Sequence, residues 1–375
     1  MLLKLTAEQE FFRATTEKFL RAHISPDEIR RLRDVPSGFD LDYWRRGADL
    51  GWTSLFVPET VGGGTLSGRP LVDFTLIAFE FGRHAAAGPL IPSNIVAATL
   101  SQTNTHLPVL AELLSGTTIA TWCHAQARSG KAFDAIDLEI REVGDELLPE
   151  GSSRPVEYAG AADQLLVTGH ADGGLTQVLL PANTPGIAIG PLQSVDLTRR
   201  FSTVTFTDVR ISRDALVGES GAAAHQVTRQ LHVALVAQCA ETVGAMQAGF
   251  DTAVEWATDR YSFGRPLASY QALKHRFADM KSWLEAAHAI CDSAAEAVDS
   301  NSSDAAELVE VAKAYIGHYS VELLQDCVQL HGGIGLTFEH DLHLFLRRAT
   351  VNRALYGTPA EHRQRIAARL TWQKG

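Results

Sequence analysis

The stretch Arg260–Pro266, with the sequence RYSFGRP, interrupts a long helical pattern and carries two arginines. Glycine and proline at this break predict a tight turn directly after a helix. Each guanidinium presents a planar fork of donors, so such a turn can hold a pyrophosphate. An interhelical turn with solvated arginines is the simpler interpretation of these residues taken alone.

The chain before this stretch has the pattern of a long amphipathic helix. Leu235, Cys239, Val243, Met246 and Phe250 follow one another at steps of three and four residues. This spacing places them in one apolar stripe. Several such helices joined by short loops favour a helical bundle.

Further upstream the pattern changes to short β-like runs. Residues 163–167, 177–180 and 203–207 are rich in β-branched and apolar residues and are separated by Gly, Pro, Asn and Asp. In the last run Val204 and Phe206 alternate with threonines, as expected of a half-buried strand.

Three segments follow from these patterns. Residues 1–115 repeat apolar side chains at helical spacing and predict an N-terminal α-helical domain. Residues 116–222 predict a middle β domain, and residues 223–375 predict a C-terminal α-helical bundle. The order of helices, strands and helices predicts the α+β class and argues against a continuous βαβ series.

Composition narrows the possible functions. The 375 residues carry 33 Lys and Arg against 44 Asp and Glu, a formal net charge of -11. An acidic chain is not expected to bind nucleic acid, whose phosphates require clustered basic residues. The sequence has no apolar run of the roughly 20 residues that a membrane-spanning helix needs. Its N-terminus lacks the apolar region of a signal peptide, so we expect a cytoplasmic protein.

The four cysteines are scattered, and no two form a CxxC pair. They predict reduced, mostly buried thiols and no zinc site. The sequence also lacks HExxH, a phosphate-binding P-loop and a GxGxxG motif after a strand. We therefore expect no metal site and no nicotinamide cofactor.

Two more motifs lie downstream. Residues 329–337, QLHGGIGLT, end a predicted helix with glycines whose backbone N–H groups a phosphate or adenosine can approach. A glycine-rich helix end is also a common structural feature. Residues 355–359, LYGTP, follow Arg347-Arg348 and predict a loop between two helices.

In this order and spacing the three motifs resemble the acyl-CoA dehydrogenase family, and the resemblance spans nearly the whole chain. Residues 50–63 are similar to the family's N-terminal glycine loop, residues 79–83 to the helix after it, and residues 196–209 to the end of its β domain. The resemblance implies the family fold, FAD as cofactor, and the α,β-desaturation of a CoA thioester.

The resemblance also implies which residues contact FAD. A cofactor shared between subunits makes an oligomer the expected state. The resemblance implies that Arg260 contacts the pyrophosphate with Phe263 packed nearby, and that Gln271 lies along the adenosine half. It implies that Gln329, Gly332 and Gly333 approach the diphosphate of the FAD held by the adjoining subunit. It also implies that Thr358 reaches the cofactor from the loop of the base, and that Thr121 and Trp122 lie beside the isoalloxazine. For Thr121 and Trp122, which begin the segment 121–126, a core strand is an equally good interpretation.

The chain departs from the family at the catalytic base. The usual loop reads Glu-Gly-Thr, whereas this one reads Tyr356-Gly357-Thr358. A phenol with a pKa near ~10 is a poor base at neutral pH, although the backbone N–H of Tyr356 can still polarise a thioester carbonyl. Some members carry the base on the first bundle helix, but residues 231–235 contain no carboxylate, and the arginine common at about Leu235 is missing.

Other carboxylates and histidines are expected to be structural. Glu241 lies seven residues beyond Ala234, roughly 10 Å along a helix, and is expected to make a hydrogen bond within the bundle. His232 is expected in the core or at an interface. Glu361 and His362 follow the loop, and we expect solvated positions for both. The base thus stays unassigned.

These features favour a base-less, FAD-binding subunit of a heteromeric acyl-CoA dehydrogenase whose paralogous partner carries the Glu. Such heteromers are known in the family, notably in actinobacterial breakdown of steroid side chains. Electron-transfer flavoprotein is the acceptor that the resemblance implies. The alternatives are a self-sufficient dehydrogenase that assembles with itself and uses an unidentified base, and an acyl-CoA oxidase or flavin hydroxylase on the same fold.

Overall fold

The computed structural model describes residues 4–124 and 135–370. Within these residues helices come first, strands follow, and helices return. The α-helices are α1 Ala7–His23, α2 Pro26–Leu32, α3 Leu41–Asp49, α4 Pro70–Arg83, α5 Leu90–Thr103, α6 Leu107–Leu114, α7 Ala224–Asp259, α8 Gln271–Asp299, α9 Ala305–His331, α10 Leu342–Ala354 and α11 Pro359–Arg369. The strands are β1 Ala120–Cys123, β2 Glu139–Val143, β3 Glu146–Glu157, β4 Gln164–Ala171, β5 Gly174–Pro181, β6 Ile187–Leu192, β7 Phe201–Phe206, β8 Ile211–Ser212, β9 Tyr261–Ser262 and β10 Arg265–Pro266.

The chain forms two compact units. The helical unit consists of Met1–Ile29, Leu71–Ala86 and Leu235–Gly375, and the mixed unit consists of Arg30–Pro70 and Ala87–Ala234. The predicted α+β class is confirmed. The boundaries of the three predicted domains stay a prediction, since the division into units falls within α7.

The mixed unit contains the sheet. Its strand order is β1-β4-β2-β3-β7-β6, with β5 paired to β4 and β8 paired to β3. The three β-like runs of the sequence overlap β4, β5 and β7, with only residues 163 and 207 outside the strands, so these predictions are confirmed. Val204 and Phe206 are buried in the sheet core while Thr203 and Thr205 are half-buried, which is the predicted alternation.

The long helix of the helical unit buries the predicted stripe. Leu235, Cys239, Val243, Met246 and Phe250 are all buried on α7. The burial extends beyond this stripe, because residues 235–246 are buried on every side of α7, so the middle of the helix lies inside the core.

Two glycines let α4 and α7 approach each other within the helical unit. A Cβ atom added to Gly82 would lie 1.8 Å from the carbonyl oxygen of Glu241, and one added to Gly244 would lie 2.0 Å from that of Phe79. Any side chain at either position would separate the helices. This contact places Glu241 of α7 beside the end of α4.

All four cysteines are buried as free thiols, as predicted. Burial raises the pKa of the Cys239 thiol to about 12 and also raises the pKa of Cys123, Cys291 and Cys327. These thiols therefore stay protonated and unreactive.

Candidate active site

The Arg260 stretch is a two-residue hairpin after α7. β9 and β10 pair with Ser262 opposite Arg265, which leaves Phe263 and Gly264 as the turn. Both have positive φ angles, +50° and +81°, the signature of a type I′ turn. Phe263 stands at the tip and is 97% exposed. The predicted tight turn is confirmed.

Its two arginines have different surroundings. The guanidinium of Arg265 stacks on the ring of Tyr270 at 3.8 Å from the centroid. The guanidinium of Arg260 lies 5.7 Å from the Trp256 ring, and the Arg260 side chain is exposed. Both arginine side chains are exposed, so either guanidinium can donate to a ligand.

A stack of side chains connects this turn to the glycine-rich segment. Trp256, under Arg260, is parallel to His331 with ring centroids 5.1 Å apart. His331 ends α9 and directly precedes Gly332 and Gly333. The two motifs that lie about 70 residues apart in sequence thus occupy one region of the helical unit.

The glycine-rich segment has an open backbone. Gly332 has φ +67°, and no atom lies within 4 Å of a Cβ added to Gly332 or Gly333. Both glycines and Gln329 are exposed, as is Gln271 at the start of α8. Backbone N–H groups, an amide and a guanidinium are donors that suit phosphate oxygens.

The loop between α10 and α11 holds Tyr356 in a left-handed conformation, with φ +58°. Gly357 follows with φ +103°. Thr358 caps α11: its hydroxyl donates to Oε2 of Glu361 across 2.7 Å, and its backbone N–H donates to the same oxygen. The Thr358 hydroxyl is therefore already engaged in a capping box.

His362 is buried, and the expectation of a solvated position is wrong. Its Nδ1 pairs with Oε2 of Glu310 on α9, and its Nε2 lies 3.0 Å from the Tyr356 carbonyl oxygen. His362 faces α9 because α11 packs on that helix, where Pro359 contacts Gly317. Glu361 lies on the outer side of the first turn of α11 and is half-buried, bonded to Thr358.

Glu241 makes the predicted structural bonds. Arg348 Nη1 donates to its Oε1 at 2.7 Å, and Asn352 Nδ2 donates to its Oε2 at 2.8 Å. Arg348 also donates to the carbonyl oxygens of Ala85 and Ala86. Sequence reasoning noted Arg348 without a role and did not consider Asn352.

Sequence reasoning also missed Lys313. This lysine is 2% exposed, and its Nζ donates to Oε1 of Gln238 and to the carbonyl oxygens of Asn352 and Leu355. Lysine on the apolar face of a helix is rare enough to have been a signal, since Val309, Ala312 and Ile316 flank it there.

Thr121 and Trp122 are buried in β1 of the mixed unit. The Thr121 hydroxyl donates to the Glu157 carbonyl, and Trp122 Nε1 donates to the Thr168 hydroxyl at 3.1 Å. The Trp122 ring stacks on His124 with centroids 4.2 Å apart. Ala125 and Gln126, from the same predicted segment, lie outside the described residues.

The helical unit has a polar cavity of about 320 Å³ around Glu80, which Arg13, Arg83, Asp251 and His288 also line. Glu80 is 2% exposed, and its Oε2 accepts no hydrogen bond from the described residues. Burial raises the pKa of Glu80 to about 7, an effect that the charge of Arg83 opposes. Burial lowers the pKa of His288 to about 3.

Two family models match the chain. The model for the acyl-CoA dehydrogenase N-terminal domain matches residues 6–108, and that for the C-terminal domain matches residues 224–371. The chain belongs to the acyl-CoA dehydrogenase family. The predicted family fold is thereby confirmed, as is the prediction of a family of FAD-dependent oxidoreductases acting on the CH–CH bond of acyl-CoA.

Relatives match over the full length. Acyl-CoA dehydrogenase IpdE2 of Mycolicibacterium smegmatis is 27% identical over 367 residues, covering 98% of this chain and 100% of the relative. A variant of the Tcur3481-Tcur3483 steroid ACAD has a TM-score of 0.86 at 22% identity, covering 96% of this chain and 97% of that one. A Mycobacterium smegmatis glutaryl-CoA dehydrogenase in complex with FADH2 has a TM-score of 0.89 at 16% identity, covering 99% and 96%. At these identities the two structures show a shared fold.

Residues 4–124 and 135–370 contain neither a candidate membrane-spanning helix nor a candidate metal site. No helix there has the length and apolar character to cross a membrane. No group of three or more His, Cys, Asp or Glu side chains in those residues could hold a metal ion.

Proposed function

We propose that this chain is a base-less, FAD-binding subunit of a heteromeric acyl-CoA dehydrogenase, and that a paralogous partner subunit supplies the carboxylate base. The acyl-CoA substrate belongs to steroid side-chain or other lipid degradation. Electron-transfer flavoprotein accepts the electrons.

This proposal depends on the hydrogen bonds that engage the carboxylates around the Tyr356 loop. Glu241 is bonded to Arg348 and Asn352, Glu310 is paired with His362, and Glu361 caps α11. A general base must reach the proton that it removes. Each of these carboxylates would have to break buried or capping hydrogen bonds to do so, and Tyr356 offers only a phenol.

The chain's own residues still support part of the chemistry. The loop of Tyr356 has a fixed backbone, and its N–H suits a thioester carbonyl, whose polarisation makes the α-proton more acidic. When FAD is bound, it supplies the acceptor for the hydride that leaves the β-carbon. The Tyr356 side chain does not remove a proton in this proposal.

The open surface of the helical unit supports FAD binding. Arg260 and Gln329 are exposed, and Gly332 and Gly333 leave room for a diphosphate. The Trp256–His331 stack brings these segments together, and both suit a diphosphate, in the case of Gln329, Gly332 and Gly333 that of the FAD held by the adjoining subunit. The proposed FAD residues are completed by Phe263, Gln271, Thr358, Thr121 and Trp122.

The same surface also has the features of a contact site for a partner subunit. Five large apolar side chains on and beside these two segments are exposed, an arrangement typical of a protein interface. They are Phe263 (97%), Leu336 (81%), Tyr261 (63%), Ile334 (45%) and Phe338 (40%).

Two observations support the substrate class and location. One similar structure is a variant of the Tcur3481-Tcur3483 steroid ACAD. Its description as a steroid ACAD supports a steroid substrate here, and its two named components support a two-component enzyme. The free, buried cysteines support a reducing compartment such as the cytoplasm.

The test compares the chain expressed alone with the chain co-expressed with a base-bearing paralogue. The proposal expects that only the co-expressed complex is bleached anaerobically by steroid side-chain CoA thioesters. The lone chain should elute with little flavin absorbance. A flavin-saturated homotetramer of this chain that is bleached at the same rate as the complex would refute the proposal.

A further inference from the structure

We propose that Lys313 is a positioning residue that strengthens the backbone N–H of Tyr356 as a hydrogen-bond donor to the thioester carbonyl. The inference rests on the proposed function in one respect, since it assumes that acyl-CoA binds at this loop. Its effect on the Tyr356 peptide group can be measured without acyl-CoA.

The contacts of Lys313 match those of an ammonium group. Its Nζ lies 2.9 Å from Oε1 of Gln238 and 2.7 Å from the carbonyl oxygen of Leu355, and it also donates to the carbonyl oxygen of Asn352. Three acceptors correspond to the three N–H donors of a charged lysine. All three are amide oxygens, which accept charge-assisted hydrogen bonds from the ammonium.

The Leu355 carbonyl and the Tyr356 N–H belong to one peptide group. A charged donor on the carbonyl oxygen polarises this group and makes the N–H at its other end a stronger donor. In a planar trans peptide the C=O and N–H bonds point in opposite directions. The Tyr356 N–H is therefore directed away from Lys313 and from the buried side of the loop.

A second buried donor fixes the next peptide group. His362 Nε2 lies 3.0 Å from the Tyr356 carbonyl oxygen, and Glu310 holds the other ring nitrogen. The carbonyls on both sides of Tyr356 are thus bound from α9 and α11. Held this way, Tyr356 keeps its φ of +58°, which is costly for a residue other than glycine.

The first experiment measures the Tyr356 amide by NMR in the full chain labelled with ¹⁵N-tyrosine, which contains 7 tyrosines. The signal is assigned by its loss in Tyr356→Phe. In Lys313→Met the amide proton resonance of Tyr356 should shift upfield, because the peptide group is less polarised. This shift should be larger than that of any other tyrosine amide. Lys313→Gln, which keeps a donor without the charge, should move it in the same direction.

Glu361→Ala is the matched control, because it loosens the same loop at the Thr358 cap and leaves Lys313 in place. It should not reproduce the upfield shift. An unchanged Tyr356 signal in folded Lys313→Met or Lys313→Gln would overturn the proposal, and so would an equal shift in Glu361→Ala. Unmoved signals of the other tyrosines show that a variant is folded.

The second experiment uses crotonyl-CoA labelled with ¹³C at the thioester carbonyl, on the FAD-loaded protein with its partner subunit. Binding should lower the carbonyl stretching frequency, and Lys313→Gln should reduce this shift and weaken binding about fivefold. An undiminished frequency shift in Lys313→Gln counts against the role of Lys313. If the wild-type protein shows no frequency shift, the carbonyl contact of the proposed function fails, while the NMR result still decides the effect of Lys313.

Discussion

Arg348 donates a hydrogen bond from Nη1 to Oε1 of Glu241 across 2.7 Å, and both side chains are buried. The pair joins α10 to α7 within the helical unit. It also engages the acidic side chain nearest to the position where some family members carry their base.

We expect Arg348→Met to lower the free energy of unfolding by about 3–5 kcal/mol, because it leaves the Glu241 carboxylate buried without its charged partner. Adding Glu241→Gln should recover part of this loss, since the buried charge is then gone. Denaturant unfolding of the single and double variants measures both effects. Strictly additive losses would contradict direct coupling of the two side chains.

The pKa of Glu80 predicts a pH-dependent stability. Burial raises this pKa from 4.5 to about 7, so the folded state favours the protonated carboxyl. Its contribution is full below pH 4.5 and is lost as the pH rises to about 7, by up to about 3 kcal/mol at 1.36 kcal/mol per pKa unit. Glu80→Gln should therefore be more stable than the wild type at pH 8.

The effect of Glu80 is measured as the difference in the free energy of unfolding between wild type and Glu80→Gln, determined at pH 5.5 and at pH 8. This difference is needed because the lowered pKa of His288 acts in the opposite direction, with stability lost as the pH falls below 6.5. The substitution leaves the sequence at Arg13, Arg83 and His84, which surround Glu80, unchanged. Glu285→Gln, at a carboxyl whose pKa is lowered, is the control and should not show the gain at pH 8.

The close contact of α4 and α7 predicts that Gly244→Ala destabilises the helical unit. The added Cβ would lie 2.0 Å from the Phe79 carbonyl oxygen, so the helices must separate, at a cost of about 1–3 kcal/mol. Gly190→Ala is the control, because no atom lies within 4 Å of a Cβ at that position. Equal melting temperatures for the two variants would show that the helices do not meet in this way.

A substitution at Gly333 should impair FAD binding without affecting the stability of the fold. Because no atom of the chain lies within 4 Å of a Cβ there, Gly333→Val should leave the unfolding midpoint nearly unchanged. The same side chain would fill the space proposed for the FAD diphosphate, so the flavin absorbance per chain in the assembled protein should fall. Full flavin occupancy in Gly333→Val, and equally in Arg260→Gln, would remove this segment from the proposed cofactor site.

The local elements of this protein could be predicted from sequence. The alternation around Val204 and the stripe from Leu235 to Phe250 each depend on residues close in the chain, so periodicity alone identified β7 and α7. The RYSFGRP turn was predictable for the same reason, since Gly264 and Pro266 restrict the backbone locally.

The order of three motifs in the sequence also identified the family and the absence of the usual glutamate at Tyr356. What surrounds Tyr356 was decided by the tertiary structure. His362 was expected in solvent but is buried, because its partner Glu310 lies 52 residues earlier on another helix. Arg348 reaches Glu241 across 107 residues.

The sequence by itself thus determined which residue types are present and which local conformations they adopt, because these depend on neighbouring side chains and backbone sterics. Only the tertiary structure decided which buried charges meet. Burial makes an unpaired charge costly, so Lys313, Glu241, Glu310 and Arg348 require partners, and folding selects those partners from distant helices. No periodicity within a single helix encodes that selection.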